Sequence, residues 1–189
     1  MTNIIEAIQQ KLGYPPLQKV DPNVQEIKEK REATPEEKLG QAAIPGVLAG
    51  LYSFTDDDKG ANYILTGATT ENWLETIFQD KKGSAVEKVA HYAAVSTDEA
   101  ESSMEEIADE AVSALHEAIG DKQTADKVKE YMSSQRHEIL VHLPAAMQLG
   151  DLLNDNSMDD RTNKMEGPIS NLMHKIENAM SKSDEGKYP

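Results

Sequence analysis

The segment "TPEEKLGQAAIPGVLAGLYSF", residues 34–54, constrains the fold more than any other part of the chain. Thr34 stands where an N-cap belongs, Pro35 at the first helical position and Glu37 where a capping box closes, so a helix starts here with its free N–H groups satisfied. Leu39, Ala42, Ala43, Gly46, Val47, Gly50, Leu51 and Phe54 then recur at helical spacing. Residues 42–54 carry no formal charge, yet 13 residues fall short of the roughly 20 that span a bilayer. A phosphate loop would place its glycines after a strand, with Lys and Ser/Thr following, and the segment has neither. Gly46-x-x-x-Gly50 is a small-residue spacing that lets helices approach closely. Pro45 lacks the N–H that would meet the Gln41 carbonyl and is expected to kink the helix. Together these features predict a kinked, glycine-faced central helix against which the other helices pack.

What packs on it must be mostly aliphatic. Hydrophobic residues make up 38% of the chain, but aromatics only 5%, with one Trp and two Phe. Ala, Leu, Ile, Val and eight Met are left to fill a core, a composition suited to helix-on-helix packing. Helix signals run from end to end: residues 3–12, stopped by Gly13 and Pro15–Pro16; "DPNVQEIKEKRE", with Asp21 as cap; "TTENWLETIFQD", starting at Thr69 or Thr70 and stopped by Lys81-Lys82-Gly83; and "SAVEKVAHYAAV". The longest helix starts at Ser96 or Thr97 and runs to Gly120, followed by "TADKVKEYMSS", "QRHEILVHLPAAMQLGDLLN" and a last helix at 167–182. "FTDDDKGANYIL" reads as a polar turn, and so do residues 154–163. No segment alternates with period two. The fold is therefore expected to be all-α, a compact bundle of about seven to nine helices. It would occupy one domain, residues 1–182, with a flexible tail at 183–189. "AIPGVLAGLYSFTDDD" and "HLPAAMQLGDLLNDNS" echo one another, each with a proline inside a helical run, and suggest related halves at about 20–80 and 97–182.

Charge narrows the partners. The chain has 34 acidic against 19 basic residues, a formal net charge of −15. Such a field repels phosphate backbones and anionic membranes, so neither nucleic acid nor a membrane surface is expected as a partner. There is no cysteine, which excludes disulfides, thiolate metal sites and Cys nucleophiles. The N-terminal residues lack the pattern of a secretory signal, and no apolar run reaches about 18 residues, so a cytoplasmic protein is expected.

Three groups of residues invite a functional reading. The helix at 97–119 carries Asp98, Glu99, Glu101, Glu105, Glu106, Asp109, Glu110 and Glu117 on its outer face without one Lys or Arg. Glu101/Glu105, Glu105/Asp109, Glu106/Asp109 and Glu106/Glu110 are like-charge neighbours, each unfavourable by a few tenths of a kcal/mol. That face could bind a basic partner or a cation array, or simply meet water. The helix must be held by its apolar stripe or by a basic neighbour, for which Lys127, Lys129 and Arg136 are candidates within the chain. Second, Glu87/His91 and Glu138/His142 are spaced i, i+4 and, with His137, are the residues a metal site in a helical bundle would draw on. The Glu-x-x-His pattern of di-iron bundles is absent. Third, "TDDDKGAN" and "NDNSMDD" are carboxylate-rich turns that could hold a hard cation, although neither has the spacing of a calcium loop. No G-x-S-x-G or S-x-x-K is present, and no catalytic residue or cofactor is indicated.

The segments "VSTDEAESSMEEIADEAVSALHEAIG" and "YMSSQRHEILVHLPAAMQLGDLL" follow an order in which a capped turn leads into a long amphipathic helix. A helix of the type Gln-x-x-x-Ile-x-x-x-Leu-Pro-Ala comes next. This order resembles the YidB-like bacterial domain of unknown function, and "IPGVLAGL" is similar to the corresponding proline helix of such proteins. The resemblance spans residues 35–153. It implies an all-α fold and supplies neither a catalytic residue nor a ligand. Such domains are rich in Gly, Ala and Leu, whereas this chain is strongly acidic. The expected function is non-enzymatic, acting by contact with a protein partner or with another copy of the chain. A metal-binding bundle and a small-ligand carrier with a cavity in its Met-rich core are the alternatives.

Overall fold

The computed structural model describes residues 3–20, 33–67, 72–121 and 123–153. Within them the chain is all-α, with no strand. The elements are α1 (Ile4–Leu12), α2 (Pro35–Phe54), α3 (Asp58–Thr66), α4 (Trp73–Phe78), α5 (Lys82–Ala93), α6 (Thr97–Ile119), α7 (Ala125–His142) and α8 (Leu149–Leu153). Short 3-10 turns at Gln79–Lys81 and Ala145–Met147 precede α5 and α8. The expected helix at 21–32, the acidic turn at 154–163, the helix at 167–182 and the tail at 183–189 lie outside the described residues, as do the proposed starts at Thr69 and Thr70 and much of the second proposed half.

Helix α2 is the axis of the bundle. Its N-terminus is the capping box read from the sequence: the Glu37 N–H donates to Thr34 Oγ1 at 3.2 Å, and the Thr34 N–H donates to Glu37 Oε2 at 2.8 Å. Every residue from Leu39 to Leu51 is buried, and a helix apolar on all sides has no stable place but the middle of the core. Helices α1, α4, α5, α6, α7 and α8 all pack against it. Pro45 lies inside α2 without ending it. The glycines set how close the neighbours come. A Cβ on Gly50 would lie 2.5 Å from the Phe78 ring, and one on Gly40 would lie 2.7 Å from the Tyr14 ring. Gly46 leaves room for Leu149 and Met147, which would stand 3.4 and 3.7 Å from a Cβ there.

Local signals explain the other helices, including those that depart from expectation. Residues 58–66 form α3 rather than a polar turn, because Asp57 is an N-cap whose Oδ1 accepts from the Gly60 N–H at 2.7 Å. A run of aspartates reads equally as a turn or as the acidic start of a helix, and the buried Gly60, Ala61 and Ile64 decide for the helix. Lys81-Lys82-Gly83 does not stop the chain's helical course. The break falls at Gln79, whose φ of 52° is left-handed, and Gly83 lies in the first turn of α5.

Helix α6 runs as read, capped by Ser96 and ended by Gly120 at φ 60°. Its stripe from Ala100 through Met104, Ile107, Ala108, Ala111, Val112 and Leu115 is buried, while Ala118 is exposed. "TADKVKEYMSS" and "QRHEILVH" join into the single helix α7. That helix ends at Leu143, held extended at ψ 115° by the proline that follows. Pro144 therefore lies between helices whereas Pro45 lies within one, so the two prolines of the sequence echo do different structural work.

Candidate functional site

Two surfaces carry the side chains singled out by the sequence. The first is the outer face of α6. Asp98, Glu99, Glu106, Asp109 and Glu117 are exposed, and Glu101, Glu105 and Glu110 are half-buried. The basic neighbour of this face is Lys82 at the start of α5. Its Nζ lies 2.6 Å from Glu101 Oε1, 3.5 Å from Glu105 Oε1 and 3.8 Å from Glu75 Oε2. Asn72, the cap of α4, adds a hydrogen bond from its Nδ2 to Glu105 Oε1 at 2.7 Å.

The hydrogen bond and charge of Glu101 raise the Lys82 pKa against the smaller opposing effect of its burial. Of the lysines expected in this role, Lys127 pairs with Glu130 at 2.5 Å, and Lys129 pairs with Asp58 and, at 3.7 Å, with Asp126. Asp98, Glu99, Glu106, Asp109, Glu110 and Glu117 have no ion-pair partner among the described residues. Asp109, though exposed at its surface, has its pKa raised first by partial desolvation and then by the nearby Glu105.

The second surface lies at the opposite end of the sequence. Gly13, with φ 80°, ends α1, and Pro15–Pro16 keep the following residues out of helix. This extended stretch runs back past the end of α7, where the Val20 N–H donates to the Val141 carbonyl at 2.8 Å. Gln41, only 6% exposed on α2, holds it there. Its Oε1 accepts from the Gln18 N–H at 2.8 Å, while its Nε2 donates to the carbonyls of Gln18 and His142 at 3.0 and 2.8 Å. Between α1, this stretch and the end of α7 opens a groove of about 460 Å³, lined in part by Glu6, Gln9, Leu17, Lys19, Glu138 and His142. A second groove of about 430 Å³ lies by Phe54, Tyr63, Phe78 and Leu153.

Among the described residues the histidines do not assemble as a metal site. Among the described residues no group of three or more His, Asp or Glu side chains is placed to hold a metal ion. His91 and Glu87 are exposed on α5, and His137 is exposed on α7. Glu138 and His142 do meet, but through the main chain: His142 Nδ1 lies 2.7 Å from the Glu138 carbonyl oxygen. His116 Nε2 lies 3.0 Å from the Ile64 carbonyl. In "TDDDKGAN", Asp57 caps α3 and Asp58 meets Lys129, while "NDNSMDD" lies outside the described residues.

Sequence reasoning missed Lys82, which it took for a helix stop, and it missed Gln41 and the groove. Only a buried-facing Gln in an otherwise apolar helix and a Gly-x-Pro-Pro stretch hinted at the last two. No helix of the described residues is long and apolar enough to cross a membrane. No family model, curated protein or solved structure matches the chain. The resemblance to the YidB-like domain thus stands on the quoted residues alone.

Proposed function

We propose that this protein acts without catalysis, by docking the outer face of α6 onto a basic surface of a protein partner. The observation that supports this reading is the unequal neutralisation of that face. Lys82 and Asn72 answer Glu101 and Glu105, while six further carboxylates on the same helix have no ion-pair partner among the described residues. A cationic partner would relieve the like-charge repulsion among these carboxylates, which adds to partial burial in raising the Asp109 pKa. Charges so arrayed steer association more than they tighten it. Pairing this face with itself in a second copy would oppose carboxylate to carboxylate, so a homo-oligomer would use another surface. A family tie to the YidB-like domain is part of the same proposal, and it rests on the proline helix and the Leu143-Pro144-Ala145 segment.

The test compares the wild type with a variant carrying Glu99→Gln, Glu106→Gln, Asp109→Asn and Glu117→Gln. Partners captured from a lysate by the wild type at low salt should be lost both in the variant and at about 1 M salt, where charges are screened within about 3 Å. Capture that survives both changes would show that the α6 face is not the docking surface. The captured species should be basic, and an acidic one would equally count against the reading.

A further inference from the structure

The groove beside α1 has a hydrogen-bonding character that the protein–protein reading does not use. His142 lines it and is 7% exposed. Its Nδ1 faces a carbonyl oxygen, which can only accept, so Nδ1 carries the proton. In the neutral ring Nε2 is then a bare acceptor, and it has no partner among the described residues. Gln9 donates one Nε2 hydrogen to the Pro15 carbonyl at 2.6 Å, which leaves its Oε1 to accept and its second N–H to donate.

Glu6 and Glu138 add two carboxylates without an ion-pair partner among the described residues, against the single ammonium of Lys19. The groove thus sets the acceptors of Glu6, Glu138 and His142, and a net negative charge, over apolar groups that include Ile5 and Leu17. Its walls are preformed, because Gln41 ties the main chain of Gln18 to that of His142 inside the protein. A volume of about 460 Å³ lies within the usual range of small-molecule sites.

We propose that this groove binds an amine with an apolar body, the ammonium meeting Glu6, Glu138 and His142 Nε2. The complement of an acceptor-rich, net-negative groove over apolar side chains is a ligand that donates several hydrogen bonds from a cationic head and buries a hydrocarbon or aromatic remainder. A carboxylic acid of the same size would face the two carboxylates, and an alcohol would bring no charge.

The experiment uses the full chain and three matched probes, phenethylamine, phenylpropionate and phenylethanol, followed by amide and imidazole ¹⁵N chemical shifts at about pH 8, above the usual histidine range. Phenethylamine should bind saturably, moving the amides of α1 and of residues 14–20 and the His142 Nε2 resonance, at least tenfold more tightly than either other probe. Glu6→Gln with Glu138→Gln should weaken it at least tenfold. Glu87→Gln on α5 should leave it unchanged and so measures general attraction to an acidic protein. Equal binding of all three probes would overturn the proposal, as would shifts confined to the α6 face or indifference to the Glu6 and Glu138 changes. His142→Gln, a second variant inside the groove, should also lose affinity while keeping the amide spectrum of the folded protein. Unaltered affinity in that folded variant would remove His142 from the site and overturn the assignment of its Nε2.

Discussion

Gly50 and Gly83 show how one residue type takes opposite meanings from its surroundings. Gly50 lies in the buried middle of α2, and a methyl group there would enter the Phe78 ring, which is itself 2% exposed. Gly83 lies exposed in the first turn of α5, with nothing within 4 Å of a Cβ and no left-handed φ. Gly50→Ala is expected to destabilise the protein by about 1–3 kcal/mol, because overpacking a full core forces backbone or rotamer shifts. Gly83→Ala should instead stabilise it by about 0.5 kcal/mol, since alanine is the better helix former. Urea unfolding of both variants checks the pair. The glycine spacing in α2 announced close packing, but only the fold could say that Tyr14 and Phe78 come from distant segments to fill the space.

At the scale of the element, α6 combines a strong apolar stripe with a self-repelling outer face. The stripe was readable because Ala100, Met104, Ile107, Ala111 and Leu115 repeat at helical spacing, and burial follows that period. The basic neighbour was not readable: Lys82 reaches Glu101 and Glu105 because α5 packs against α6, a pairing no local pattern encodes.

The uncompensated part of the face gives a prediction with a definite pH dependence. The folded-state pKa of Asp109 is raised, so its ionisation costs the folded protein stability at neutral pH. That cost disappears as pH falls through the raised value to below the ordinary value of 3.8. Asp109→Asn should therefore raise Tm by about 1 °C at neutral pH, a few tenths of a kcal/mol. The gain should vanish in acid, where both proteins carry a neutral side chain. Thermal melts across that range decide it, and a gain that persists in acid would trace to packing instead of charge.

On the scale of the whole molecule, the polar node at Gln41 joins the ends of the described chain. It lies in the most apolar helix, yet it ties Gln18 near the N-terminus to His142 at the end of α7. Gln135 does parallel work, its Oε1 accepting from the Ile4 N–H at 3.1 Å and anchoring α1 to α7. Gln41→Leu should leave one N–H and two carbonyls without their partner and lower stability by about 2–3 kcal/mol. Hydrogen exchange at the Gln18 amide should speed up more than exchange within α6, because the extended stretch loses its tie while the long helix keeps its stripe.

The all-α class, the buried glycine-faced axis and the caps of α2 and α6 follow from the sequence alone. They depend on local periodicity and on side chains within one turn of the groups they satisfy. The break at Gln79, the helix at 58–66, the Lys82 pairing and the groove at His142 were decided by the tertiary structure. Each depends on which distant surface is available for burial or hydrogen bonding, and that surface exists only once the helices have packed around α2.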